Sequence, residues 1–481
     1  MYKQLAKDTL TYGLGDLIIK LISFLLFPIF TSLLSVSDFG VLELGLTLAG
    51  LIGIFANFGM SNSIQRFYHE EGNSELDKKD YVSTGMFVIL LVSTILLFVS
   101  FLSIFLLSDS FIGEFGLTKI VLILIVLSFL PYQIIKYSLD VLRLHFKAKS
   151  FIIVTGLQNL LTLIVGILFL KYFGSDILYF FYGYVLSLLL VAPISIIYIK
   201  KDLHFSFNKE KYKILVDYGY PLLYMGFAFW LFGSIDRWML SYLSTTTEVG
   251  YYSVGFKIGM VVNFVTMSFG QAFSPLVIKW KNEYKDTFLT NISKVFTSYL
   301  SVLIILGVAL SLFSKEIISM ITPESYWESS KTVSYIVFGL VFNGTMQLTG
   351  VGISLAKETK YFNYYAWLTA FVNIVLNYFL IIELQSVGAA IATMISYGLL
   401  SVLLMRKSNK YYKFPWEYKK IAYLLLLSAI SIFLSHNFNL IDSLSFPIIL
   451  KISIIVISFI SIFLFNIIDY KIVKKIIFQG F

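Results

Sequence analysis

The sequence contains no cysteine, which excludes a disulfide framework and thiolate chemistry alike. Its four histidines, His69, His145, His204 and His436, are scattered singly over 481 residues, so no metal site is expected. Charged residues are scarce at 14%, against roughly 25% in an ordinary soluble domain. Only eight prolines occur, and no Pro/Gly/Ser-rich linker separates off a soluble domain. A G-x-x-x-x-G-K-[ST] phosphate loop is also missing, which argues against ATP-driven pumping by this chain itself. Apolar runs are continuous and lack period-two alternation, so a membrane barrel of strands is excluded.

What the sequence does contain is apolar surface. Hydrophobic residues reach 58%, above the roughly 45–50% of soluble domains, with 46 Phe and 32 Tyr among them. Lipid must be the solvent for most of the chain, and an all-α polytopic membrane protein is expected. Fourteen stretches approach the roughly 20 residues a bilayer requires. They are 10–34, 39–62, 82–107, 118–139, 151–173, 177–199, 214–240, 249–274, 288–313, 332–355, 361–382, 386–405, 421–436 and 446–467. The N-terminus runs straight into a full-length apolar stretch, so no removable signal peptide is expected.

The basic residues set the orientation. With the N-terminus inside, inner segments hold 27 of the 37 Lys and Arg, and outer ones only Lys119, Lys171, Lys315 and Lys331. Both termini are therefore expected in the cytoplasm. The net charge of +9 reads as topology, and no nucleic-acid partner is expected.

An internal repeat is visible. SDFGVLELGLTLAG (37–50) aligns with TEVGYYSVGFKIGM (247–260) at an offset of 210, pairing Asp38 with Glu248, Gly40 with Gly250, Gly45 with Gly255 and Ala49 with Gly259. Six spans separate the copies, which therefore share one orientation. Gly45, Ala49, Gly53 and Asn57 share a face of the second span, as Gly255, Gly259 and Asn263 do in the eighth. Small residues at this spacing let helices approach closely, and packing alone accounts for the stripes. Their recurrence at one offset points to duplication.

Several segments carry a family resemblance: YGLGDLIIKLISFLLFPIFTSLLS followed by SDFG, NFGMSNSIQRFY (57–68), YGYP (218–221), DRWML (236–240) and VGAAIATMISYG (387–398). They resemble the multidrug/oligosaccharidyl-lipid/polysaccharide exporter superfamily, and in particular its branch of O-antigen-type oligosaccharide flippases. The resemblance implies two parallel six-helix lobes around a central cavity, with two added C-terminal helices. The expected divisions are 1–205, 206–410 and 411–481.

Asp16, Lys20, Glu43, Lys136, Asp236, Arg237, Lys257, Lys294 and Lys451 fall within the spans. Such groups normally face a cavity or snorkel to the interface. Lys136, Lys294 and Lys451 lie within about two turns of a span end and are expected to snorkel. Lys20 lies near the midplane one turn after Asp16, where an intrahelical ion pair is the plain alternative. Lys257 lies some 12 Å deep, while Arg237 and Arg66 lie near span ends. Asp236 and Arg237 do not share a helical face, so Asp236 need not neutralise Arg237.

Six basic groups against three acidic ones make this set cationic, which suits an anionic cargo. Lys20, Arg66, Arg237 and Lys257 are the expected partners of a lipid-linked diphosphate. Asp16 and Glu43 are candidates for proton or sodium coupling, with membrane potential as the alternative driving force. Pro28 and Pro221 are candidate hinges or merely tolerated kinks.

The implied function is secondary-active flipping of an undecaprenyl-diphosphate-linked oligosaccharide in a bacterial inner membrane, without catalysis and without a cofactor. That role serves O-antigen, lipopolysaccharide or related polysaccharide biosynthesis, beside membrane lipids and a polysaccharide polymerase or other assembly proteins. A multidrug antiporter of the same superfamily is the alternative, and a polytopic polymerase or glycosyltransferase is less favoured.

Overall fold

In the computed structural model of the chain, residues 24, 27–204, 206–283, 286–439, 445–465 and 467 are described. All regular structure among them is helical. A helix α1, described over 27–33, leads into α2 (Val36–Asn57), α3 (Met60–Phe67), α4 (Glu75–Leu106), α5 (Asp109–Gly113) and α6 (Lys119–Leu144). Next come α7 (Ala148–Phe173), α8 (Ile177–Ile199), α9 (Lys209–Leu243), α10 (Thr246–Glu283), α11 (Phe288–Leu312) and α12 (Ser314–Ile321). After a 3-10 turn follow α13 (Ser330–Gly344), α14 (Met346–Thr349), α15 (Val351–Leu355), α16 (Lys360–Tyr411), α17 (Tyr418–Asn439) and α18 (Ser445–Leu464).

Eleven stretches among the described residues are long and apolar enough to cross a bilayer. The 52-residue α16 is one of them, yet Gln385 inside it is non-helical at φ 51° and ψ −128°. Each side of that break is long enough for a crossing, matching the separate spans expected over 361–382 and 386–405. The apolar part of α18, Ile448–Leu464, is shorter. Of the fourteen expected spans, the first lies largely outside the described residues, as do Asp16 and Lys20.

Short polar residues start several of these helices by accepting otherwise unpaired backbone N–H groups. Ser35 caps α2, Thr118 caps α6 and Asn208 caps α9. Ser74 and Asp77 form a reciprocal capping box at α4.

Helix packing divides the chain into two compact units, Met1–Val249 and Gly250–Phe481, with the boundary just inside α10. Within the first, α6 packs on α2, α4, α7 and α8, and α2 also packs on α9. Within the second, α13 packs on α11, α16 and α17, and α11 also meets α18.

The glycine stripes lie at these packing surfaces. A Cβ at Gly45 would meet Phe181 and Ile125, and one at Gly255 would meet Thr332 and Ile336. The first unit's stripe meets α6 and, at Gly45, also α8, and the second unit's meets α13.

The outer surface is built for lipid. On α4, Phe87, Leu91, Ile95, Phe98, Leu102 and Phe105 are exposed at three- and four-residue spacing, while Val82, Met86, Ile89 and Ser93 are buried. A helix apolar on its exposed face as well as its buried one is fitted to lipid, whereas a water-soluble helix keeps its exposed face polar.

Candidate functional site

Three of the expected membrane charges, Glu43, Asp236 and Arg237, are brought together along the seam of α2 and α9. These helices run antiparallel, so Glu43, Gly50 and Ile54 of α2 face Arg237, Trp230 and Gly226 of α9. At one end of the seam Phe58 and Gly59 both adopt left-handed backbone (φ 48° and 73°), separating α2 from α3. A side chain at position 59 would overlap the Gly219 backbone, and the Ser63 hydroxyl donates to the Leu215 carbonyl at 2.8 Å. Glycine is required there by both the conformation and the close approach.

Toward the other end, α9 is fixed through Thr47. The Trp230 indole N–H donates to its carbonyl at 2.9 Å, and the Trp238 indole N–H to its hydroxyl at 3.0 Å. Beyond them Arg237, 5% exposed, lies with its Nε 3.9 Å from Glu43 Oε2 and its Nη1 3.6 Å from Asp236 Oδ1. Nη1 also donates to the Gly233 carbonyl at 3.1 Å.

Asp236 does approach Arg237, although neighbouring residues do not share a helical face. The Asp236 carboxylate accepts the backbone N–H of Arg237 at 2.8 Å, which turns it back toward the guanidinium. Glu43 and Asp236 are themselves buried. Burying charge in this way is tolerated because cation and carboxylates share the desolvated space.

The other expected site residues lie elsewhere. Arg66 is half exposed on α3, pairs with Glu70 at 3.4 Å and lies 5.5 Å from the Phe67 ring centre. Its neighbourhood meets α9 near Leu215, about 33 Å of helix from Arg237. Lys257 is half-buried on α10, in the second unit. Pro28 lies in α1, and Pro221 lies within an unbroken α9, two residues past the Gly219 crossing.

Lys136 is exposed. Lys451 does not snorkel: it is 2% exposed and its ammonium donates to Glu316 of α12 at 2.6 Å. Pairing with an acid of the same unit holds it inside.

A second network joins the helix ends that carry the basic loops. Asp140, expected in a loop, lies in the last turns of α6, is buried, and accepts a hydrogen bond from Ser61, which in turn accepts one from Asn57 at 2.7 Å. Nearby, His145 Nε2 lies 3.2 Å from Asp202 and 3.3 Å from the Tyr68 hydroxyl. Burial pushes the Tyr68 phenol up to about 12, helped by the Asp202 and Glu75 charges. Burial also lowers the pKa of His145, outweighing the opposing pull of Asp202. Across the α8–α9 connection, His204 meets Asp80 at 2.7 Å.

A long helical chain with buried charge inside its apolar spans defines a polytopic membrane fold. Sequence and structural similarity specify it further. The family described as polysaccharide biosynthesis protein matches residues 5–281, more than half of the chain, and the MatE family matches residues 221–379. The chain belongs to the polysaccharide biosynthesis protein family.

The lipid II flippase MurJ in an inward closed conformation has the same fold. Its TM-score is 0.73 at 18% identity, with 95% of this chain and 98% of that one covered. Lsg locus protein 1 of Haemophilus influenzae is 23% identical over 56% of this chain. That match spans 65% of the relative, just under two thirds of its length. The "Probable low-salt glycan biosynthesis flippase Agl15" of Haloferax volcanii is 19% identical over 48% of this chain and 47% of its own. The expected superfamily and its all-helical fold are borne out.

Proposed function

We propose that the chain is a secondary-active flippase that carries an undecaprenyl-diphosphate-linked oligosaccharide from the inner to the outer leaflet of a bacterial plasma membrane. The observation that carries this reading is Arg237, a guanidinium buried inside a membrane span in a polysaccharide biosynthesis protein. Arg matches the bidentate geometry of phosphate oxygens, which an apolar or acidic drug pocket does not need. The MurJ fold and the Agl15 name support the same reading.

Glu43 supplies a route to coupling. Its carboxylate lies 3.9 Å from the guanidinium that a diphosphate would need. Protonating Glu43 or exchanging its charge for a cation frees Arg237 for cargo, so ion binding and cargo binding become linked. Asp16 is a second coupling candidate, and membrane potential remains the alternative drive. Lys20, Lys257 and Arg66 are further phosphate partners along the route. Pro28 and Pro221 are hinge candidates for alternating access by two lobes, 1–205 and 206–410, with 411–481 as two added helices. Both termini lie in the cytoplasm, and a polymerase receives the flipped glycan outside.

In producing cells, Lys20→Ala and Lys257→Ala are expected to lose surface polysaccharide at wild-type membrane levels. Normal export by both would contradict a cationic route. The MatE match favours one second reading, multidrug antiport. Efflux of an organic cation such as ethidium, unaffected by Arg237→Ala, would favour it.

A further inference from the structure

Helices α4 and α9 bury the same 22% of their most apolar window, yet α4 has the highest hydropathy of the eleven long apolar helices and α9 the lowest. Both therefore leave most residues of that window short of full burial, but in different surroundings. The exposed large side chains of α4 are mostly Phe, Leu and Ile; those of α9 are Tyr212, Tyr218, Tyr220, Tyr224, Phe229 and Tyr242. Lipid tails have no use for a row of phenolic hydroxyls, which lose their hydrogen bonds in hydrocarbon.

The aromatic residues of α9 are also arranged. At 100° per residue, Tyr220, Tyr224, Phe227, Trp238 and Tyr242 fall on one face, with Trp230 at its edge. The Tyr220 and Tyr224 hydroxyls are hydrogen-bonded at 2.5 Å, and their rings meet edge to face at 5.1 Å. Phe227 stacks with Trp230 at 6.3 Å, and Phe115 stacks with Tyr242 at 5.9 Å near the far end. Both indoles are held in orientation by Thr47. From Tyr220 to Tyr242 the row rises about 33 Å, close to the roughly 30 Å hydrocarbon thickness. The Arg237–Glu43 pair lies beside it, one turn before Tyr242 is reached.

We propose that this face of α9 is an aromatic ladder for the glycan head group. Sugar rings carry apolar C–H faces and a rim of hydroxyls. They stack on tyrosine and indole faces while the phenolic hydroxyls accept and donate at the rim. Stacking tolerates different sugars, so a ladder lets a chain of sugars advance in steps without one deep binding site. The proposal rests on the flippase reading and assigns the glycan contact within it to α9, apart from the phosphate contact of Arg237.

The test uses the full-length protein in vesicles with two fluorescent probes: undecaprenyl diphosphate carrying the oligosaccharide extracted from producing cells, and undecaprenyl diphosphate without sugar. Tyr220→Leu/Tyr224→Leu is expected to slow transfer of the glycan probe about tenfold, the loss of one good stacking contact. Transfer of the sugar-free probe should change less than twofold. Tyr220→Trp/Tyr224→Trp restores the glycan rate and shows that the leucine variant's defect is loss of the rings. Equal transfer of the glycan probe by wild type and the leucine variant overturns the ladder, as does equal slowing of both probes. Failure of the wild type to transfer either probe overturns the flippase reading instead.

Discussion

Arg237 carries the largest electrostatic debt of the described site. Removing it leaves Glu43 and Asp236 as buried carboxylates deprived of its guanidinium, a change that costs about 3 kcal/mol or more in comparable pairs. Arg237→Ala is therefore expected to lower the thermal midpoint in detergent and to abolish transport. Glu43→Gln keeps the Asp236 contact and should fold, while flattening the pH dependence of transport. Both effects are read by thermal unfolding and by transport rate against pH.

His145 gives a pH prediction of its own. Its pKa in the folded chain lies below the usual value of about 6.5, so the unfolded state binds the extra proton first. Its contribution to stability is whole above about pH 6.5 and is lost as pH falls from there toward the folded pKa. Thermal midpoints measured from neutral to mildly acidic pH should fall for the wild type, and less for His145→Gln.

These residues differ in how far the sequence reveals them. Glu43 and Arg237 stand out as charges in apolar runs. Asp140 does not, because a charge near the end of an apolar run reads as the start of a loop; only the continuation of α6 to Leu144 buries it. Thr47 carries no chemical signal at all and matters because two indoles reach it from α9.

Among the elements, the break between α2 and α3 is held by Gly59 at φ 73° against the backbone of Gly219. Left-handed backbone alone costs a residue with a Cβ about 1–2 kcal/mol. Gly59→Ala adds overlap with Gly219 and should lower the thermal midpoint more than Gly72→Ala, also at positive φ but with open space around it. Equal effects would remove the crossing from the account. The motifs NFGM and YGYP mark both sides of this crossing in the sequence, but only the fold brings them together.

The Lys451–Glu316 pair fastens α18 to α12. Glu316→Ala deprives a buried ammonium of this carboxylate and is expected to destabilise the second unit, whereas Glu316→Ala/Lys451→Met should recover much of the loss. Differential scanning fluorimetry of the two variants distinguishes a fastening pair from an incidental one. Sequence position suggested snorkelling because Lys451 lies near a span end. Its partner lies 135 residues away, beyond the reach of local pattern.

At the scale of the whole molecule, apolar run length and the Lys/Arg pattern made the all-helical class legible. The 210-residue offset also located real packing: Gly45 meets Ile125 in one unit and Gly255 meets Ile336 in the other. Charge counting reached less far. It treated Arg237 as a free cation, whereas the fold sets it beside two carboxylates and makes its availability conditional. Under the proposed function, binding of an anionic head group is an exchange, with Glu43 as the group displaced.

The most direct measurement is leaflet-resolved labelling of undecaprenyl-diphosphate-linked oligosaccharide in sealed vesicles with wild-type protein, Arg237→Ala or no protein. Flipping that depends on Arg237 requires wild-type vesicles to expose the inner-leaflet glycan and Arg237→Ala vesicles to match the protein-free ones. Exposure by Arg237→Ala at the wild-type rate would contradict it.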